Sequence, residues 1–209
     1  FLKYAAKTMK PIVVSTGMST LSEIEIAVKT IQEEGNSNIV LLHCISIYPP
    51  KDKDIHLRNI TMLQQAFNLP VGFSDHSFGA SIPLASVALG ACIIEKHYTL
   101  DKDLPGWDHE ISANPDEMKT ICQDSKKISA ALGNLFRTVS EEEEEKKYKF
   151  RRSIVLNNSM KKGDIIKESD LTYKRPGTGI PPNEYNFVIG RKLKIDLNED
   201  SVLNWNNLE

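Results

Sequence analysis

Two histidines occupy matching positions in residues 71–98, VGFSDHSFGASIPLASVALGACIIEKHY. His76 and His97 each follow a short apolar run and a polar pair that contains one acidic residue. Imidazole binds Zn, Mn, Fe, Ni or Cu, and two protein ligands leave positions open for water or a substrate. Asp75 could orient a ligating histidine without itself binding the metal. Each histidine could instead simply cap its strand, so the pattern alone leaves a metal pair and a structural pair open.

Other polar side chains at strand ends could act beside these histidines. Glu95 alternates onto the same face as His97, which makes it a candidate general acid or base. Ser15 and Ser74, with the backbone amides that follow them, could bind a phosphate or a carboxylate, although serine at such a position often only caps a loop. His43 follows the apolar run IVLL and is predicted to be a packed core histidine.

The sequence predicts a scaffold that brings these strand ends together. A strand–helix pattern repeats four times, with strands that end near Ser15, His43, Ser74 and Glu95. Continuous apolar strands that alternate with helices predict a parallel sheet covered on both sides. Four such units are half of a (β/α)8 barrel or a small doubly wound sheet. In a barrel the loops after the strands converge on the active-site face.

A long loop follows the last of these strands, at residues 99–112, TLDKDLPGWDHEIS. Long loops over the mouth of a barrel are often functional, and Pro and Gly restrict their path. Asp108 and His109 could contact a polyol substrate or simply close the loop.

The pattern changes after residue 139. Residues 140–152, SEEEEEKKYKFRR, form a charge run that is predicted to be a solvated helix or a linker. Beyond it, short segments separated by Gly, Asn and Pro are typical of a compact β-rich unit. We therefore predict two domains, at residues 1–145 and 146–209.

Composition limits the classes of function. The 209 residues carry a net charge of −2, which gives no electrostatic case for binding nucleic acid or a membrane. Three cysteines without CxxC spacing, two of them in apolar runs, predict buried reduced thiols in a cytoplasmic protein. The chain begins with Phe1, inside an apparent helix, so we expect a further N-terminal portion in the native protein.

Five motifs, taken together, resemble the sialic acid synthase family, which comprises the N-acetylneuraminate synthases and their legionaminate and pseudaminate relatives. The motifs are VSTGM, LLHCISIYP, VGFSDHS, ALGACIIEKHYTLD and KRPGTGI. They span nearly the whole chain, in order and with compatible spacing. The resemblance implies an α/β fold with the C-terminal half of a TIM (β/α)8 barrel, then a small β-rich SAF (antifreeze-like) domain. It also implies a domain-swapped homodimer.

The resemblance implies a reaction as well. Family members condense phosphoenolpyruvate with an open-chain N-acylated hexosamine, which gives a nine-carbon 2-keto acid and phosphate, and they require a divalent metal, usually Mn or Mg. By position, His76 and His97 resemble the metal ligands, and Glu95 resembles the carboxylate beside the metal. The remaining matches are phosphoenolpyruvate contacts at Ser15, Ser46 and Ser74, and acceptor-sugar contacts at Tyr48, Asp108 and Arg175, the last offered by the partner's small domain.

Two departures from the family pattern leave the acceptor sugar open. Ser46 stands where family members have Asn, and GWDHE replaces a GPD-type loop. The family's early glutamate and its lysines for phosphoenolpyruvate have no counterpart in this sequence, so we expect little activity from this chain alone. Two other interpretations remain: a metal-dependent barrel aldolase or epimerase, and a non-catalytic carbohydrate-binding protein.

Overall fold

Four parallel strands, hydrogen-bonded in chain order, form the first sheet in the computed structural model, which describes residues 1–209. The strands are β1 (Ile12–Ser15), β2 (Ile39–Cys44), β3 (Val71–Asp75) and β4 (Ile94–Lys96). The accompanying helices are α1 (Leu2–Ala6), α2 (Leu21–Glu33), α3 (Asn59–Phe67), α4 (Ser81–Ala88) and α5 (Pro115–Leu132). A doubly wound sheet reverses its strand order, whereas this order is sequential, as in a barrel. The prediction of an α/β half-barrel is therefore confirmed.

Helix α2 illustrates how the sequence builds these elements. The Thr20 hydroxyl accepts a hydrogen bond from the Glu23 N–H, and the Thr20 N–H donates to the Glu23 carboxylate at 2.7 Å, which is a capping box. Ile24, Val28 and Ile31 then recur every three or four residues and are buried on one side of the helix. That side contributes to the core that lies between the sheet and its helices.

The strand register determines which side chains share a face. Cys44 is paired with Ser74, and Ser74 is paired with Glu95. Because register neighbours of a parallel sheet project to the same side, these three residues share one face of the sheet. His43 and Phe73, which are also paired, project to the opposite face.

His43 packs within the core, as predicted. It is buried, its ring stacks on Phe73 with centroids 5.8 Å apart, and its Nε2 donates to the Ile55 carbonyl at 2.6 Å. Burial lowers the pKa of His43, so the ring is held neutral. Its role is structural, and the chemistry must come from the other face of the sheet.

The prediction of buried cysteines holds for Cys44 alone, since Cys92 and Cys122 are exposed. Both exposed thiols line an open groove of about 630 Å³ beside β4. Strand β4 is an edge strand, with a hydrogen-bonded neighbour on one side only. An apolar run in an edge strand is therefore not covered as it would be in the middle of a sheet.

The chain divides into two compact units, Phe1–Asn134 and Leu135–Glu209. The second unit is described here by itself. Its elements are α6 (Glu141–Phe150), β5 (Ser153–Leu156), β6 (Leu171–Lys174) and α7 (Tyr185–Val188). Strands β5 and β6 are antiparallel. The charge run forms helix α6, and the boundary predicted between residues 145 and 146 falls inside this helix.

The second unit has a separate apolar core, with nine buried members. They are Ile154, Leu156, Met160, Ile166, Ile180, Val188, Leu193, Leu203 and Leu208. No helix of the protein is both long enough and apolar enough to cross a bilayer.

Candidate active site

Three rings meet beyond the C-terminal ends of β3 and β4. The imidazole centroids of His76 and His97 lie 5.3 Å apart, and the Tyr48 ring lies 4.1 Å from the first and 5.8 Å from the second. Each histidine immediately follows its strand, so neighbouring parallel strands bring the two imidazoles together. Tyr48 is contributed by the loop after β2. The structure thus brings together the two histidines that the sequence singled out.

A backbone carbonyl, and not Asp75, orients the His76 ring. His76 Nδ1 lies 2.9 Å from the Ile45 carbonyl oxygen, and it must donate because a carbonyl can only accept. In the neutral ring this hydrogen bond leaves the free lone pair on Nε2. The Asp75 carboxylate instead binds Ser77 and Lys96, so it does not orient the ring by a direct hydrogen bond.

Glu95 and Ser74 are hydrogen-bonded to each other in the same pocket as the histidines. The Ser74 hydroxyl donates to Glu95 Oε1 at 2.7 Å. The pocket has a volume of about 200 Å³, and its lining residues are Ser74, His76, Glu95, Lys96 and His97. A candidate acid or base, a candidate anion contact and two candidate metal ligands therefore surround one small space.

Cys44 is a site residue that the sequence analysis missed. Its Sγ lies 3.8 Å from the Ser46 Oγ, and the side chains of His76, Ser15 and Ser74 are also close enough to affect its ionisation. Burial raises the pKa of the Cys44 thiol, but these polar neighbours, His76 first, outweigh burial and bring the pKa down to about 7. The available signal was alternation: with His43 in the core, Cys44 must face the opposite side.

The pKa of His76 is shifted in the opposite direction to that of Cys44. Burial lowers the pKa of His76, but the neighbouring Cys44 and the hydrogen bond with the Ile45 carbonyl outweigh it, and the pKa is raised. Without a metal the pair therefore favours a thiolate next to an imidazolium, and a metal on Nε2 would have to displace the proton of that nitrogen.

Gly17 lets the turn after β1 approach this polar cluster. A Cβ built at position 17 would lie 2.1 Å from the Ser46 Oγ and 3.1 Å from the Cys44 Sγ. The first distance is too short for a real Cβ contact and the second is unusually tight, so any larger residue would displace the Ser46 hydroxyl. The turn thereby brings Ser15 and the backbone after it next to the loop that follows β2.

The long loop after β4 reaches the histidines through Asp108, whose Oδ2 lies 3.8 Å from His97 Nδ1. His109 anchors the loop, because its Nδ1 lies 2.8 Å from the Thr99 hydroxyl. Burial, followed by the nearby Cys44, Asp108 and Glu95, raises the pKa of the Tyr48 hydroxyl. Tyr48 and Asp108 therefore lie beside the histidine pair, and their predicted contacts with an acceptor sugar stay predictions.

Arg175 belongs to the second unit and is described there alone. Its Nε donates to the Phe150 carbonyl at 3.0 Å, and its guanidinium carbon lies 5.4 Å from the centroid of the Phe150 ring. These contacts hold the guanidinium end of the side chain within its own unit. Its predicted contact with a sugar stays a prediction.

The donor chemistry of the site fits a divalent metal ion that is only partly coordinated by protein. No group of three or more His, Cys, Asp or Glu side chains is arranged to hold an ion. Two imidazoles do face each other, and His76 has an available Nε2. Such a pair suits a transition metal such as Mn that completes its coordination with water or substrate.

Comparison with known proteins covers both units. The model of the NeuB family matches residues 1–137, and that of the SAF domain matches residues 151–209. N,N'-diacetyllegionaminic acid synthase of Legionella pneumophila is 40% identical over 100% of this chain, which covers 60% of that protein. The chain therefore spans about 60% of the length of this curated relative.

Comparison with solved structures also finds proteins of sugar-acid and polysaccharide biosynthesis. The spore coat polysaccharide biosynthesis protein SpsE of Bacillus subtilis aligns with a TM-score of 0.60 at 33% identity, over 100% of this chain and 63% of that one. The N-acetylneuraminic acid (sialic acid) synthetase of Leptospira borgpetersenii aligns with a TM-score of 0.65 at 40% identity, over 69% of this chain and 50% of that one.

Proposed function

This chain belongs to the NeuB family and carries an SAF domain, and from that premise we propose that it is part of a phosphoenolpyruvate-dependent sugar-acid synthase. The resemblance drawn from the five motifs is thereby confirmed at the level of family and domains. In the proposed reaction, phosphoenolpyruvate condenses with an N-acylated hexosamine to give a nine-carbon 2-keto sugar acid and phosphate. Two of the proteins compared above are named as an N,N'-diacetyllegionaminic acid synthase and an N-acetylneuraminic acid synthetase, which supports the proposal.

The observation that carries the proposal is the shared pocket of the two histidines, Glu95 and Ser74. His76 and His97 would hold Mn or Mg, which when bound supplies a Lewis acid for an aldehyde oxygen. Glu95, held by the Ser74 hydroxyl at 2.7 Å, would transfer a proton beside the reacting carbon. A carboxylate whose position is fixed by a hydrogen bond needs little reorganisation to do so.

Different residues around this pocket would contact the two substrates. The hydroxyls of Ser15, Ser46 and Ser74 would contact phosphoenolpyruvate, and all three are close enough to Cys44 to affect its ionisation. Tyr48 and Asp108 would contact the acceptor sugar, since both lie against the histidines. Arg175 would be supplied by the small domain of the partner in a homodimer.

A trianionic substrate needs more cations than this pocket offers. Lys96 is the lysine of the pocket, and its ammonium group is already paired with Asp75 at 2.6 Å. We therefore expect the neutralising lysines or arginines to come from a part of the enzyme outside the four strand–helix units described above. Within a (β/α)8 barrel, the loops of the other strands open on the same face.

Phosphate release from phosphoenolpyruvate by the full-length protein tests the proposed function. A panel of N-acylated hexosamines is assayed after chelation, with and without added Mn²⁺. We expect metal-dependent phosphate release with at least one acceptor. Glu95→Gln should lower kcat by about 100-fold or more, whereas the exposed control Glu25→Gln on α2 should not change it.

The other outcomes identify the alternatives. If no acceptor yields metal-dependent phosphate, the synthase proposal fails. Metal-dependent conversion of a sugar without phosphate release would indicate an aldolase or an epimerase. Sugar binding that survives both Glu95→Gln and His97→Asn, with no turnover in the parent protein, would indicate a non-catalytic binding protein.

A further inference from the structure

A buried ion pair joins β3 and β4 at the residues that immediately precede the two histidines. Lys96 Nζ lies 2.6 Å from Asp75 Oδ2, and the side chains are 1% and 0% exposed. Asp75 and Lys96 are direct register partners. His76 follows one of them and His97 follows the other, so the ion pair spans the same two strands as the imidazoles.

The same carboxylate also fixes the chain on the far side of His76. Asp75 Oδ1 accepts hydrogen bonds from the Ser77 N–H at 2.9 Å and from the Ser77 hydroxyl at 2.7 Å. The Lys96 ammonium group donates to the Ser77 carbonyl as well. The backbone of His76 is thus held before and after the residue by one buried network.

Neither charged residue has a role in the proposed chemistry. Asp75 forms hydrogen bonds only with Ser77 and Lys96, and it faces away from the side of the sheet that carries Glu95. Burying two charges is costly, and apolar residues of similar size often serve stability equally well. A buried pair is therefore weak support for a purely stabilising role, and fixing one arrangement of the chain is the better-attested use.

We propose that Asp75 and Lys96 form a positioning clamp that sets the separation of the His76 and His97 imidazoles. Both are positioning residues, because they act through the backbone of the histidines that follow them. The inference rests on the proposed function only in taking a divalent metal ion as the ligand of the two imidazoles. The geometry of the clamp itself is independent of that ligand.

Lys96→Met tests the clamp, because it removes the charge and the hydrogen bonds while keeping an unbranched side chain. Binding of Mn²⁺ to the metal-free full-length protein is followed by electron paramagnetic resonance. We expect the Kd to rise by about tenfold or more, the effect typical of residues that orient metal ligands. Lys29→Met is the matched control, because it breaks a 2.7 Å ion pair with Glu25 on α2 and should leave the Kd unchanged.

The histidine resonances provide a readout that needs neither metal nor activity. In Lys96→Met the ring Hε1 signals of His76 and His97 should shift or broaden, whereas that of the exposed His56 should not. If the His76 and His97 signals of Lys96→Met match those of the parent protein, as the His56 signal should, the clamp is refuted. If the parent protein binds no Mn²⁺, the metal pair and the proposed function fail, and these signals still decide whether the clamp exists.

A double variant separates positioning from stability. Asp75→Leu/Lys96→Met removes both charges at once, so the fold should be retained even if Lys96→Met alone unfolds. The clamp predicts shifted histidine signals and weaker Mn²⁺ binding in this stable variant. Parent-like signals and affinity would show that the ion pair serves stability alone and would overturn the inference.

Discussion

The thiol of Cys44 occupies the centre of the polar cluster below the histidines. Burial alone would raise its pKa, because a thiolate is poorly solvated inside a protein. Four polar neighbours oppose this effect: His76 and the hydroxyls of Ser15, Ser46 and Ser74. Since the balance brings the pKa to about 7, the group can be a thiol or a thiolate near neutral pH.

Cys44 should therefore titrate at lower pH than an ordinary thiol. In the metal-free Cys92→Ser/Cys122→Ser protein, ultraviolet absorbance of the thiolate should develop with a midpoint near pH 7 as the pH rises. An ordinary cysteine would show this change at about 8.5. Ser46→Ala removes one donor to the thiolate, so its midpoint should move upward.

The control for this titration is Ser19→Ala, because Ser19 is exposed and its hydroxyl donates to the Gly17 carbonyl. It should leave the midpoint unchanged. A midpoint at or above the ordinary value in the parent protein would contradict the role assigned to the serine hydroxyls and His76.

At the scale of single residues, the sequence revealed His76 and His97 but not the contacts of Asp75 or Cys44. The histidines were recognisable because their signal is local, a polar residue at the end of an apolar run. The contacts of Asp75 and Cys44 cross between strands, and the Asp75–Lys96 pair is 21 residues apart in sequence. Only the register shows which of these side chains meet, and no pattern within one strand contains that information.

At the scale of elements, the strand–helix units were predictable because each carries its own start signals and apolar pattern. Helices α2, α5 and α6 all begin with capping boxes. The environment of β4 was not predictable in this way. Its burial depends on the strands and helices that cover it. The apolar run around Cys92 therefore did not indicate that the thiol is exposed.

The capping box of α2 should contribute measurably to stability. Thr20→Ala removes the hydroxyl that accepts from the Glu23 N–H, which should lower the free energy of unfolding by about 1 kcal/mol. Urea unfolding followed by circular dichroism measures this change.

Thr30→Ala is the matched control in the same helix. The Thr30 hydroxyl only donates back to the Ile26 carbonyl at 2.7 Å, and alanine is the better helix former. We expect no loss of stability, or a slight gain. Equal losses in the two variants would mean that the capping box does not stabilise the helix.

At the scale of the whole molecule, the chain contains two apolar cores with no member in common. Ile31, Leu41 and Phe73 are buried in the first. Leu193 and Leu203 are buried in the second. Because cooperative unfolding follows shared buried contacts, each core should determine the stability of its own unit.

Two substitutions of fully buried residues should therefore act on different units. Ile31→Ala and Leu193→Ala each truncate a side chain that is 0% exposed, which should cost about 2–5 kcal/mol in the unit concerned. Hydrogen exchange in rising urea separates the units, because amides of β2 report on the first and amides of β5 on the second. Ile31→Ala should reduce protection in β2 and leave β5 unchanged, and Leu193→Ala should do the reverse. Ile26→Ala, at an exposed position of α2, should affect neither strand, and equal loss in both strands from either core variant would show that the two units unfold as one.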